Sequence, residues 1–345
     1  MIKVGICGHY GKGHILLNGQ TVKTKELTKQ LIRIFGSNNV MTIDTHNWVK
    51  NPLKLIINCY ALIKNCENII ILPAHNGVKI FVPLFLALNR FFDRKIHYVV
   101  IGGWLPKLLD KNRKLAMMIS KLDGVYVETF SMMQRLERIG LDNTRLLVNF
   151  KQLNILNKNE LVNNHEEPYK LCTFSRVMKE KGIEDAINIV CEINNIAGRT
   201  VYTLDIFGQI DPDYKERFEE LRRNLPRYIQ YKGVVDYSKS VEVLKDYFIL
   251  LFPTHFFTEG IPGTIIDAYA AGVPVIASNW ESASEVIDNN ETGFIYDFNN
   301  IEQLKKILVN VMTYPEVVAK MKTKCINKAE GFLPEKAIED FVEFL

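Results

Sequence analysis

Short apolar runs and helix-period segments alternate along the whole of this 345-residue chain. MIKVGIC, NVMTID, NIIILP, HYVVIGG, GVYVE and RLLVNF read as strands in the first half. YKLCTFS, YTLDIFG, IQYKG, YFILLFPT, PVIAS and GFIYD do so in the second. Helix patterns lie between them, at 21–35, 52–65, 78–92, 112–121, 131–139, 182–197, 211–223, 238–246, 264–271 and 301–312. This alternation restricts the chain to the α/β class, with parallel sheets in two doubly wound, Rossmann-like domains. The polar stretch NKNELVNNHEEP, residues 157–168, reads as the linker. The expected division is therefore 1–165, 166–330 and a terminal segment 331–345. In that segment a helix PEKAIEDFVEFL has an apolar face of Ala337, Ile338, Phe341, Val342 and Leu345.

Cysteine usage and charge narrow the setting. The six cysteines are scattered, with no C-x-x-C pair, which predicts reduced thiols in a cytoplasmic protein and no zinc site. The chain opens directly on a strand pattern rather than a leader, and no apolar run approaches the ~18 residues that span a bilayer. Residues 1–165 carry 23 Lys+Arg and 10 Asp+Glu, a net +13, so the remainder carries −9 of the total +4. A basic half predicts an anionic partner: anionic lipid, a pyrophosphate-linked acceptor or nucleic acid. A merely solvated lysine-rich surface is the plain alternative.

The chemistry concentrates in TEGIPGTIIDAYAAGVPVIAS, residues 258–278. Glu259 stands eight residues before Asp267, with Gly260, Ile261, Pro262, Gly263 and Thr264 between them in a loop that opens a helix. Glycine lets that backbone approach a ligand, and the free N–H groups of a helix start attract phosphate. The two carboxylates can accept hydrogen bonds from sugar or ribose hydroxyls. Earlier, YKLCTFSRVMKEKGIEDAI, residues 169–187, puts Arg176 and Lys181 in the loop after a strand, where open α/β sheets bind ligands. Two cations there can hold a diphosphate as a leaving group, with Lys179 as the surface alternative to Lys181. GHYGKGHILLNGQTVKT, residues 8–24, adds a loop with Gly11, Gly13 and Gly19. Its spacing does not fit G-x-G-x-x-G, which argues against a dehydrogenase.

These motifs resemble the E-x7-E and R-x(4)-K-G patterns of retaining "group 1", or family-four, glycosyltransferases of the GT-B fold. The resemblance implies two Rossmann-like domains facing across a cleft, with the C-terminal helix crossing back to the first domain. It implies a nucleotide-sugar donor, in particular a UDP-sugar, and a glycan or lipid-linked acceptor. Arg176 and Lys181 would grip the pyrophosphate, Glu259 the donor sugar and Asp267 the ribose. Asp267 is one methylene shorter than the usual Glu. The loop with Gly11 and Gly13 is similar to the family's first glycine-rich loop, and Asn18, Gly19 and Gln20 to its N-G-x segment. Many members carry a histidine where this chain has Gly102-Gly103-Trp104. His75 is a substitute candidate, although a lone histidine at a strand end is ordinarily structural. The G-G-W-L-P run looks like a subgroup tied to capsule and surface-polysaccharide assembly. No metal, cofactor or nucleic-acid partner is implied. The rival readings are a nucleotide-sugar epimerase or hydrolase of the same fold, and a non-catalytic nucleotide-sugar-binding subunit.

Two further segments have competing readings. GVKIFVPLFLALNRFFDRK, residues 77–95, reads either as an interfacial helix on an anionic membrane at the inner face of the cell, or as a core-packed helix with a basic end. Asp211-Pro212-Asp213 matches the metal motif D-x-D, but Pro212 suits the first position of a helix with Asp211 as its N-cap.

Overall fold

The computed structural model describes residues 1–11, 13, 19–162 and 166–345. It divides the chain into two units, Met1–Gln152 with Pro334–Leu345, and Leu153–Leu333.

The first unit holds β1 (Ile2–Gly8), β2 (Val40–Asp44), β3 (Cys66–Ile71), β4 (Lys95–Val99), β5 (Gly124–Val127) and β6 (Thr144–Leu146), in the order β2-β1-β3-β4-β5-β6. The second holds β7 (Tyr169–Phe174), β8 (Tyr202–Phe207), β9 (Ile229–Gly233), β10 (Ile249–Phe252), β11 (Val275–Ser278) and β12 (Gly293–Tyr296), in the order β12-β11-β10-β7-β8-β9. Every neighbouring strand pair is parallel. Helices therefore cover both faces, which is why the strands are continuous apolar runs: Val4 and Ile6, Ile69 to Ile71, and Ile249 to Leu251 are all buried.

Helix α1 (Gly19–Phe35) seats Leu27 and Leu31 against Val4, Ile6 and Ile70. Helix α2 (Pro52–Asn65) begins with Pro52, and the Asn51 side chain accepts from the Lys54 N–H. It buries Leu55, Cys59, Leu62 and Ile63. Helix α3 (Val78–Asn89) buries Val78, Phe81, Val82 and Phe85 in the same core. Residues 77–95 are thus not one interfacial helix. The helix ends at Asn89, whose side chain accepts from the Arg94 N–H, and Lys95 already begins β4. The core-packed reading holds for α3.

The unit boundaries differ from the expected 165/166 and 330/331. The polar stretch read as a linker starts inside the second unit: the Leu156 N–H donates to the Ala270 carbonyl at 3.0 Å, and the Leu161 side chain lies against Gly272. The terminal segment is not one helix but two short pieces, Pro334–Ala337 and Glu339–Glu343, interrupted at Ile338. With these boundaries the first unit carries 23 Lys+Arg and 13 Asp+Glu, a net +10, and the second a net −6.

The last twelve residues complete the first unit's core. Phe341 meets the Tyr126 ring edge-on at 4.5 Å, and the Arg145 guanidinium lies 3.9 Å from the Phe344 ring centre. The Asn68 amide donates to the Leu345 carbonyl at 2.7 Å, and its oxygen lies 3.3 Å from His97 Nε2. His97 Nδ1 is 3.1 Å from the Tyr126 hydroxyl. Burial, then the nearby Lys95 and Arg145 charges, push the His97 pKa down from 6.5 to about 4.

The pH dependence has a definite sign. His97 stays neutral in the native state while the unfolded chain takes up a proton below pH 6.5, so this contribution is full above 6.5 and is lost as pH falls towards 4. Lowering the pH from 7 to 5 is expected to cost about 2 kcal/mol through this group. Urea unfolding at the two pH values checks it: His97→Gln, which keeps neutral hydrogen-bonding groups, should flatten the difference. An unchanged slope in the variant would assign the acid sensitivity elsewhere.

Candidate functional site

In the second sheet, β7 leads to β8 and β9 on one side, while β10 leads to β11 and β12 on the other. The strand order reverses between β7 and β10. In open α/β sheets the carboxyl ends of such a pair form the ligand site. The loop after β7 carries Arg176 and Lys181, and the loop after β10 carries Glu259.

These loops meet. Lys181 Nζ and Glu259 Oε1 form an ion pair, each side chain 16% exposed. The Lys181 ammonium lies 5.1 Å from the Phe252 ring centre and 5.2 Å from that of Phe256, near enough for attraction to the ring faces. Thr254, which the sequence reading missed, holds the carboxylate in place. Its hydroxyl is 3.1 Å from the same Glu259 oxygen and accepts from the Phe256 N–H, while its carbonyl accepts from Ser278 Oγ at 2.6 Å. The His255 N–H donates to the Glu180 carbonyl at 2.7 Å, stitching one loop to the other.

Gly182 sets how closely the loops approach. It ends the turn Lys179–Lys181 with φ 67°, and a Cβ there would lie 1.9 Å from the Pro253 carbonyl oxygen. Only glycine accommodates both the dihedral and the contact. Of the two lysine candidates, Lys181 therefore faces Glu259, whereas Lys179 is exposed.

Arg176 is not part of this pair. Its side chain is 49% exposed, and the guanidinium reaches Asp211 Oδ2 at 3.3 Å. The other Asp211 oxygen accepts from the Asp213 N–H at 3.1 Å, with Pro212 at the first position of the turn. Asp211 is thus an N-cap, as its sequence context indicates, and the structure adds that it is an arginine partner.

Past Glu259, Gly260 and Ile261 are buried, Pro262 is the N-cap, and the helix Gly263–Ala270 begins. Thr264 Oγ1, in the first turn of this helix, is buried with no hydrogen-bond partner among the described residues. Asp267, 5% exposed, lies one turn further on. Behind the helix, Lys322 is wholly buried, with Nζ 3.5 Å from the Gly272 carbonyl, and burial pushes its pKa down to about 8.

The first unit holds the remaining candidates. Its strand order reverses between β1 and β3. Gly11 and Gly13 follow β1 with φ of 64° and 84°, and His75 follows β3. His75 is exposed, its ring 5.1 Å from Trp104 in an edge-on contact. Gln20, in the first turn of α1, donates to the Leu72 carbonyl just after β3 at 3.1 Å. Asn18 lies outside the described residues.

Sequence reasoning missed two polar groupings here. Lys23 and Glu128 form a buried ion pair at 2.6 Å, and nearby on α1 the buried Glu26 leaves Oε2 without a hydrogen-bond partner among the described residues. His9 lies between Thr21 Oγ1 at 2.8 Å and His46 Nδ1 at 3.1 Å, and burial followed by the His46 charge lowers its pKa. In the sequence, Lys23 and Glu26 look like any solvated helix face. Only the tertiary fold buries them.

Residues 157–331 match the sequence profile of the glycosyl transferases group 1. The capsular polysaccharide biosynthesis glycosyltransferase CapM of Staphylococcus aureus is 29% identical over 189 residues, 53% of this chain and 44% of that protein. The UDP-Gal:alpha-D-GlcNAc-diphosphoundecaprenol alpha-1,3-galactosyltransferase of Escherichia coli is 27% identical over 147 residues, 42% of this chain and 36% of that one. The chain spans 36 to 56% of the length of the curated relatives it matches. A crystal structure of Anabaena HepE in complex with UDP superposes with a TM-score of 0.75 over 99% of this chain and 98% of that one, at 14% identity. Two six-stranded parallel sheets with this likeness make the fold GT-B, and with half its length under the family profile the chain belongs to the group 1 glycosyltransferases.

Proposed function

We propose that the protein transfers a sugar, with retention of anomeric configuration, from a UDP-sugar to a glycan or lipid-linked acceptor in surface-polysaccharide assembly. The observation that carries the reading is the Lys181–Glu259 pair where β7 and β10 diverge. The named activities of CapM and of the diphosphoundecaprenol galactosyltransferase support the acceptor class. The UDP bound to HepE supports the donor.

Lys181 and Glu259 neutralise each other while the site holds no donor. An incoming diphosphate carries enough negative charge to draw Lys181 from the carboxylate, and Arg176 reaches the same phosphates by leaving Asp211. Glu259, kept in orientation by Thr254, then accepts from hydroxyls of the donor sugar. Amides at the start of the helix Gly263–Ala270 and the Thr264 hydroxyl face the phosphates, and Asp267 binds the ribose. The bond from the sugar C1 to the phosphate oxygen breaks, the acceptor hydroxyl oxygen bonds to C1, and the hydroxyl proton leaves with the diphosphate. No side chain is assigned as a covalent nucleophile. Rate comes from positioning and from cations aimed at the developing phosphate charge. The step needs no metal on this reading, since Asp211 is engaged as cap and arginine partner.

Three outcomes test the proposal. Lys181→Ala and Arg176→Ala should each lower kcat by a factor of about 10² or more, as expected for losing a charge partner of the leaving group. Asp211→Asn, which frees Arg176, should leave kcat close to that of the wild-type protein. If both cation variants turn over normally while folded, the leaving-group assignment fails.

Titration with free UDP separates the two acids. Asp267→Asn should weaken UDP binding about tenfold, the effect of one charged hydrogen bond to the ribose. Glu259→Gln should leave UDP affinity within a few-fold and reduce turnover. Wild-type UDP affinity in Asp267→Asn would remove the ribose role.

Activity should survive EDTA. Loss of turnover on chelation, with recovery on adding Mg²⁺ or Mn²⁺, would count against metal-independent transfer.

A further inference from the structure

Helix α2 is apolar on both sides. Its inner face, Leu55, Cys59, Leu62 and Ile63, packs on the sheet. Its outer face carries Leu53, Ile56, Ile57 and Tyr60, spaced so that they form one stripe. Leu53 is 73% exposed and Ile57 66%. The stripe continues at both ends. Val49 stands exposed in the turn before α2, and the Tyr60 ring meets Phe92 edge-on at 5.6 Å. Beside it Phe91 is 81% exposed, and Ile80 of α3 is also exposed. A surface of this kind ordinarily covers something.

The surrounding charge is almost all of one sign. Residues 45–66 contain Lys50, Lys54 and Lys64 and no acidic residue. Residues 78–95 contain Lys79, Arg90, Arg94 and Lys95 and one acid, Asp93. Lys50, Lys54, Lys64, Lys79, Arg90 and Lys95 are exposed. An apolar stripe with a basic rim has the chemistry of an anionic bilayer surface, in which anionic headgroups overlie acyl chains. A second copy of the chain fits less well. In a two-fold contact the same patch would meet itself, setting basic rim against basic rim.

We propose that the outer face of α2, with Phe91 beside it, docks on an anionic lipid surface. Leu53, Ile57 and Phe91 enter the boundary between headgroups and acyl chains, and Lys54, Lys64 and Arg90 lie on lipid phosphates. The apolar stripe is presented by α2, while most of the apolar side chains of α3 belong to the core. The proposal rests on this surface alone and is independent of the sugar-transfer reading.

Co-sedimentation with equimolar phosphatidylglycerol/phosphatidylcholine vesicles, against phosphatidylcholine alone, tests it. The wild-type protein should pellet with the anionic vesicles and not with the neutral ones, less so as salt rises. Leu53→Glu/Ile57→Glu should lower the partition coefficient at least about tenfold, because both side chains must enter the interface. Lys54→Gln/Lys64→Gln/Arg90→Gln should lower it roughly a hundredfold at low ionic strength. All five positions are exposed, so thermal unfolding and UDP binding should match wild type in both variants and mark them as folded. Equal recovery with both vesicle types, no recovery with either, or wild-type binding by the Leu53→Glu/Ile57→Glu variant would overturn the proposal. So would a dimer in light scattering that this variant breaks while vesicle binding is absent.

Discussion

The close approach of the loops after β7 and β10 is the constraint on which the second unit's chemistry depends. Parallel order places both loops at the same edge of the sheet, and the reversal of strand order leaves no helix between them. Glycine at 182 then allows the first loop to lie against the Pro253 carbonyl. Without that contact, Lys181 would extend into water as a lysine ordinarily does. With it, the ammonium is held beside two aromatic rings and a carboxylate. A charged pair this far removed from water gains little net stability, because desolvation cancels much of the attraction. What the pair does is hold two loops 78 residues apart in sequence in one arrangement.

The sheet pattern was legible because parallel strands covered on both faces must be continuously apolar. Each of the twelve runs read as strands contains or overlaps one of β1 to β12. RLLVNF is the weakest match, since β6 is only Thr144–Leu146. The helix Glu316–Ala329 escaped notice because its buried face includes Lys322, which breaks the apolar period. The units divide at 152/153 rather than within the polar stretch for a related reason: NKNELVNNHEEP has the composition of a linker, yet Leu161 packs beside Gly272. Composition reports an average, whereas one side chain in one niche decides where a segment belongs.

At the site, spacing identified Lys181 and Glu259, and the structure brings them together. It could not identify Thr254, because a threonine after an apolar strand has no distinguishing neighbour in sequence. Nor could it show that Arg176 rests on Asp211. The D-x-D stretch and the R-x(4)-K stretch are 35 residues apart, and their contact follows from β7 and β8 being neighbours. The first unit was the less legible half. Its buried Lys23–Glu128 pair lies on elements whose sequences read as an ordinary solvated helix and a strand end.

The two units divide their surfaces differently, and charge follows that division. The second, with a net −6, contains a paired cation and anion at its loop edge. A ligand with two phosphates must displace that carboxylate, so affinity for a bare anion is reduced by the attraction being given up. A nucleotide sugar has an advantage over inorganic phosphate here, because its hydroxyls offer donors to the displaced Glu259 while its diphosphate takes the lysine. On the proposed function, the ion pair therefore acts as a selectivity device. It disfavours any ligand that supplies negative charge alone and favours one that brings both a diphosphate and a polyhydroxylated group to the same edge of the sheet.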